Sequence, residues 1–315
     1  MSGRDARRGE IPPTPRLSII LTATDTAGAL ARSLQALKGQ APDLVEILVV
    51  NDPGLTVPRL RRIGLEAAGG EIVAFLEDSC EALPGWAEAW IAAFSANPTL
   101  EAASGLVEHD DPGTTPLDRA VVYCEYAPFL PPVRPGRPRR LAGNNFAVRR
   151  ELALADPASE VHETVLLSAI RGPVATVTAA RVRHVRSFPV REAFADRFRY
   201  GREYGGLRTI GASPIGRWAG LVAGPAIFAV QVIRLSATII GKPRQWARFL
   251  GCLPITLALL ASWSLGEWWG WTRGPIRQRS STARKPHERA GRPPGQAPGR
   301  NGSPRPGYTT RPPVS

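Results

Sequence analysis

The sequence predicts an α/β fold, a mostly parallel sheet flanked by helices and followed by a C-terminal hydrophobic helical hairpin. Three observations predict it. Short apolar runs ended by polar residues alternate with segments of helical periodicity from Leu17 to about Asn97, the pattern of a doubly wound sheet whose ligands sit at the carboxyl ends of strands. Two apolar stretches follow from Trp218, with tryptophans near their ends like an interfacial belt. Beyond Arg273 the chain turns basic and rich in Pro and Gly, a composition that cannot offset the entropy of ordering.

Each element has its own signal. Leu17 to Leu21 (LSIIL) is an apolar run of the kind that forms a buried parallel strand. Leu30, Leu34 and Leu37 fall at helical spacing and Gly39 ends that pattern. Val45 to Val50 predicts a second strand, Val57 to Ala68 a second helix, and Glu71 to Leu76 a third strand. Pro84 opens a helix to about Asn97 with Trp86, Trp90 and Phe94 on one face. The proline-rich stretch from Gly105 to Arg140 reads as a long loop, and order returns at Leu141 to Arg150. A helix is expected over Glu160 to Arg171, stopped by Gly172-Pro173, and a strand over Val174 to Val185. There is no internal repeat. The domains expected are a leader over 1–16, an α/β domain over 17–205, a membrane-associated helical region over 206–272 and a disordered basic tail over 273–315.

The net charge of +13 over 315 residues looks like a nucleic-acid signal until it is localised. From Arg273 onward ten Arg and Lys residues face Glu288 alone, so most of the excess lies in the tail, and the globular part has no motif that reads RNA or DNA. No nucleic-acid partner is expected. Three widely spaced cysteines, Cys80, Cys124 and Cys252, offer neither a disulfide framework nor a metal knuckle, which points to a reducing compartment. The polar N-terminus reads as neither signal peptide nor anchor. About twenty apolar residues are needed to cross hydrocarbon; Phe249 to Leu265 is a candidate, and Trp218 to Ile240, interrupted by Arg234, a marginal one. The bland alternative is a pair of buried helices.

Three strand ends deliver polar side chains where ligands are expected: Thr22, Thr24 and Asp25; Asn51 and Asp52; Glu77, Asp78 and Ser79. A carboxylate there can accept hydrogen bonds from a base or ribose, and a carboxylate pair can hold a divalent cation against a diphosphate. Asp52 is equally a turn residue before Pro53-Gly54, and an acidic helix start is the lesser alternative for Glu77-Asp78.

Together LSIILTAT, VEILVVND, RRIGLEAAGGEIVAFLEDSC and LPGW resemble the amino-terminal half of family 2 glycosyltransferases of the GT-A (Rossmann-like) fold. LAGNNFAVRRE, HETVLL and RFRYGREYG are similar to the family's later blocks, so the resemblance spans Leu17 to Gly205. It implies that Asp52 contacts the base, that Arg61 lies near the nucleotide, and that Glu77 to Ser79 occupies the metal and diphosphate position. Thr22 and Asp25 join the donor site, and Asn144 and Asn145 would hydrogen-bond sugar hydroxyls. His184 becomes a metal or diphosphate ligand with Glu77 and Asp78, the ion being Mg or Mn; its plain alternative is a solvated surface histidine between arginines. Glu163 becomes the general base, with a first-turn acid on a helix dipole as its plain alternative.

Two departures qualify this. The acidic motif reads EDS, so its third position offers a hydroxyl to a hard cation, and the later acidic pair reads Glu163-Thr164. The function implied is inverting transfer of a sugar from a nucleotide-sugar donor to a lipid-linked, polysaccharide or other glycan acceptor. The place implied is the inner (cytoplasmic) membrane, with membrane lipids as partners and the catalytic domain and tail cytosolic. A catalytically silent membrane scaffold is the alternative. Arg197, Arg199, Tyr200 and Arg202 read either as phosphate contacts or as snorkelling residues of an interfacial helix.

Overall fold

The computed structural model describes residues 14–23, 27–41, 43–109, 113–156 and 160–274. Asp25 with its neighbour Thr24, the leader up to residue 13 and the tail from residue 275 lie outside the described residues.

The expected helix-flanked sheet is present, with seven strands. In chain order these are β1 (Leu17–Ala23), β2 (Val45–Asn51), β3 (Ile72–Glu77), β4 (Cys80–Ala82), β5 (Ala102–Glu108), β6 (Asn145–Arg149) and β7 (Val174–His184), arranged β2-β1-β3-β6-β5-β7-β4. The first three run parallel, with Leu17 beside both Val45 and Ile72. β6 then enters antiparallel between β3 and β5, and β4 pairs antiparallel with β7, so the sheet is mixed. β6 is reached by an excursion over 109–144 rather than by a single crossover helix, which frees it from the parallel sense that βαβ units impose.

Alternation along the strands explains the two cores. Leu17, Ile19 and Leu21 of β1 pack on one face with Trp86, Trp90 and Phe94 of α3 (Trp86–Ala96) and Leu37 of α1 (Ala27–Leu37). Ile20, Val73 and Phe75 point to the other face, against Leu60 and Leu65 of α2 (Val57–Ala67). α2 lies close on β1 because residue 64 is glycine: a methyl there would sit 2.4 Å from Ile20 Cγ2. Thr56 caps that helix, its hydroxyl accepting from the Arg59 N–H.

The stretch expected as one long loop holds two regular elements. β5 starts before Gly105, and α4 (Pro116–Tyr126) follows behind a full capping box in which the Thr115 and Asp118 side chains each accept from the other's backbone N–H. Short helices α5 (Arg150–Ala155) and α6 (Glu163–Ala169) precede β7.

The C-terminal part is helical: α7 (Val190–Leu207), α8 (Pro214–Val222), α9 (Gly224–Ile240) and α10 (Trp246–Arg273). Among the described residues one helix, Pro243–Arg273, is long and apolar enough to cross a membrane. The described residues divide into two compact units, one of residues 14–189 with Arg234–Thr256, the other of Val190–Ile233 with residues 257–274.

Candidate active site

The polar centre of the first unit is built around Arg61, whose side chain is only 4% exposed. Its Nη2 donates to Glu77 Oε1 at 2.9 Å and to the Gly143 carbonyl at 2.8 Å. Its Nη1 donates to Glu163 Oε2 at 2.9 Å and to the Val161 carbonyl at 3.2 Å. One guanidinium thus joins the end of β3, the turn before β6 and the start of α6, with its Cζ 5.5 Å from the centroid of the Phe146 ring. Only the flat, forked head of arginine can serve so many acceptors at once.

The carboxylates differ in their surroundings. Burial pushes the Glu77 acid above its usual range, opposed by Arg61 and reinforced by Glu163. Burial alone would weaken the charge on Arg61, yet the pull of Glu163 and Glu77 together raises its pKa, so the guanidinium stays charged. Glu163 is about one-third exposed, and its second carboxylate oxygen accepts no hydrogen bond among the described residues. A partly solvated carboxylate, fixed on one side and open on the other, is placed to accept a proton.

No protein-family model matches the sequence, and no curated protein matches it. Among solved structures the chain is similar to GalNAc-T7 with UDP, GalNAc and Mn2+, at 16% identity over 55% of this chain and 43% of that one, TM-score 0.39. It is also similar to a mannosyltransferase of Pyrobaculum calidifontis in complex with GDP-Man and Mn2+. There the identity is 17% over 81% of this chain and 87% of that one, TM-score 0.44.

The other expected residues are placed differently from one another. Asp52 directly follows β2 and is half-buried, its Oδ1 accepting from the Gly54 N–H at 2.8 Å in a tight turn. Thr22 is buried and its hydroxyl donates to the Leu76 carbonyl, so it serves the sheet instead of a donor. Arg61 has all four terminal N–H groups committed inside the protein, which leaves none of them for a nucleotide. Asp78 is buried, its carbonyl accepting from the Ser33 hydroxyl.

Asn145 corrects an expectation. Fully buried, its Nδ2 donates to the Leu106 and Ala180 carbonyls at 2.8 and 3.0 Å, and its Oδ1 accepts from Trp86 Nε1 at 2.8 Å. Nothing of it remains for a sugar; it pins β6 to its neighbours. Asn144, equally buried, donates to Cys80 Sγ at 3.1 Å while its Oδ1 has no partner. Burial raises the Cys80 thiol pKa strongly, so the sulfur stays neutral.

The proposed metal ligands do not assemble. Among the described residues no three His, Cys, Asp or Glu side chains come together to hold an ion. Glu77 is turned to Arg61. His184 is buried among rings, 6.1 Å from Phe188 and 5.6 Å from Tyr126 by centroid, with Nδ1 unpartnered. Burial, then His109 and Arg186, lower its pKa to about 3, against the opposing pull of Asp118. Among the described residues this donor set does not fit a resident cation.

Sequence reasoning missed the linkage that Arg61 makes. The signal was an arginine one helical turn before the glycine that lets α2 approach β1.

Proposed function

We propose that the chain is an inverting glycosyltransferase that moves a sugar from a nucleotide-sugar donor to a glycan or lipid-linked acceptor at the cytosolic face of a membrane. One observation carries the reading: Arg61 gathers Glu77, from the strand-end acidic motif, and Glu163, from the helix-start block, into one cluster. These segments are far apart in sequence and are the ones that resemble the family 2 motifs.

In the reaction the acceptor hydroxyl oxygen attacks the anomeric carbon, and its proton passes to the open oxygen of Glu163. The bond from that carbon to the diphosphate oxygen breaks, its electron pair leaving with the diphosphate. Attack opposite the leaving group inverts the anomeric centre. Arg61 holds and aims the Glu163 carboxylate. Asp52, directly after β2, is the base or ribose contact of this reading.

The test is a thermal-shift and nucleotide-release screen of the detergent-solubilised full chain against uridine, guanosine and other nucleotide sugars, with and without Mg or Mn. Stabilisation by one donor and release of its nucleotide in the presence of acceptor support the transferase. Tight donor binding without turnover turns the reading into the silent scaffold, and no binding to any donor removes both.

A further inference from the structure

The C-terminal helices carry features that sugar transfer does not use. In the second unit α7 and the end of α10 meet through glycines spaced four apart, Gly201 and Gly205 against Gly266 and Gly270. A methyl on Gly201 would lie 2.1 Å from the Trp263 carbonyl oxygen, on Gly205 2.0 Å from that of Glu267, and on Gly266 2.1 Å from that of Phe198. Around this seam Arg208 donates to the buried Glu267 at 2.8 Å and Arg197 stacks 4.6 Å over Trp263. One face of the end of α10 is therefore covered by a helix studded with arginines, a poor neighbour for hydrocarbon, while Leu265, Trp268 and Trp269 on the rest of it are 58%, 43% and 44% exposed.

The start of α10 is held too, within the first unit. Lys242 Nζ donates to the Leu130 and Pro132 carbonyls, Gln245 Nε2 to the Pro131 carbonyl at 3.2 Å, and the Tyr123 hydroxyl to Gln245 Oε1 at 3.0 Å. If α9 and α10 crossed a bilayer as a hairpin, this turn would emerge on the far side, where none of those bonds can form.

α8 presents the opposite character. Ile215, Trp218 and Val222 are 82%, 69% and 77% exposed at helical spacing, an apolar stripe turned outward. From residue 204 to 266 the chain has no Asp or Glu; besides Arg208 and Lys242, which are engaged by Glu267 and by backbone carbonyls, it carries Arg217, Arg234, Arg244 and Arg248. An apolar stripe carried by a sequence segment that is basic and free of acids has the composition that suits an anionic bilayer surface.

We infer that these helices form a monotopic anchor: the Ile215, Trp218 and Val222 stripe enters one leaflet of an anionic bilayer, and neither α9 nor α10 crosses it. The inference rests on the membrane-face part of the proposed function and not on its sugar chemistry.

The test uses the full chain and vesicles of phosphatidylcholine with or without phosphatidylglycerol. Wild type should float with the anionic vesicles, and alkaline carbonate should release it. Ile215→Ser with Trp218→Ser should weaken binding about tenfold or more. Because that variant can misfold, an environment-sensitive dye on Val222→Cys gives an independent readout, the native cysteines being buried or half-buried. Its emission should shift to the blue on anionic vesicles and be quenched by brominated lipid. Unchanged binding of the double variant, an unresponsive dye, or protein retained after carbonate each overturns the inference. Nucleotide-sugar titration of the same sample is read separately: its failure strikes the transferase reading and leaves the lipid result standing.

Discussion

Arg61 and Glu163, 102 residues apart in the chain, are joined by a hydrogen-bonded ion pair of 2.9 Å. Glu77 completes the cluster from the opposite side of the guanidinium. The cation is almost wholly buried and the two acids are only partly so, which sets what each substitution should do.

Arg61→Ala leaves two neighbouring carboxylates without a counter-charge and should cost about 3 kcal/mol of stability. Arg61→Lys should recover only part of it, since an ammonium cannot fork to four acceptors. Urea unfolding measures both; an alanine variant as stable as wild type would show that the cluster is ornamental.

Glu163→Gln keeps the size of the side chain while removing the basic oxygen. Turnover should fall by about 10²–10⁴-fold, with donor affinity little changed because Gln can still accept from Arg61. Equal losses in donor binding and in rate would argue against a proton-accepting role.

Asn145→Ala should destabilise by about 3 kcal/mol or more, because two buried carbonyls and the Trp86 N–H all lose their partner. A donor-contacting residue would instead lower nucleotide affinity with little change in melting temperature. The two outcomes separate in one calorimetric series.

His184 sets an acid-side dependence. Its pKa lies at about 3 in the fold against an ordinary 6.5, so between those values the unfolded chain binds a proton that the folded chain refuses. Stability contributed by the neutral ring is fully present above 6.5 and is lost as pH falls, by up to about 1.4 kcal/mol per pH unit. Denaturant midpoints measured at about pH 5 and about pH 7 should differ less in His184→Phe than in wild type; an equal difference would place the slope elsewhere.

The sheet was legible where side chains report directly on burial. LSIIL, VEILVV and EIVAFL are continuous apolar runs, and β1, β2 and β3 lie on them. β5 was not, because Ala102, Ala103, Ser104 and Gly105 are small residues whose strand state depends on β6 and β7 on either side. α4 was hidden among prolines, although Thr115 and Asp118 carried a capping signature. In the site, Glu77 and Glu163 could be singled out as acids at an element end and an element start. The work of Asn145 could not, since Gly-Asn-Asn reads locally as a turn and its partners are 39 and 35 residues away.

The interlocked glycines of α7 and α10 bear on how the protein can be handled. A shortened version ending near Thr256, designed to shed the greasy C-terminus, would strip α7 of the backbone it nests against and leave Arg197 and Arg208 without Trp263 and Glu267. Such a truncation would trade one sticky surface for another, and the protein is better prepared whole, in detergent or nanodiscs.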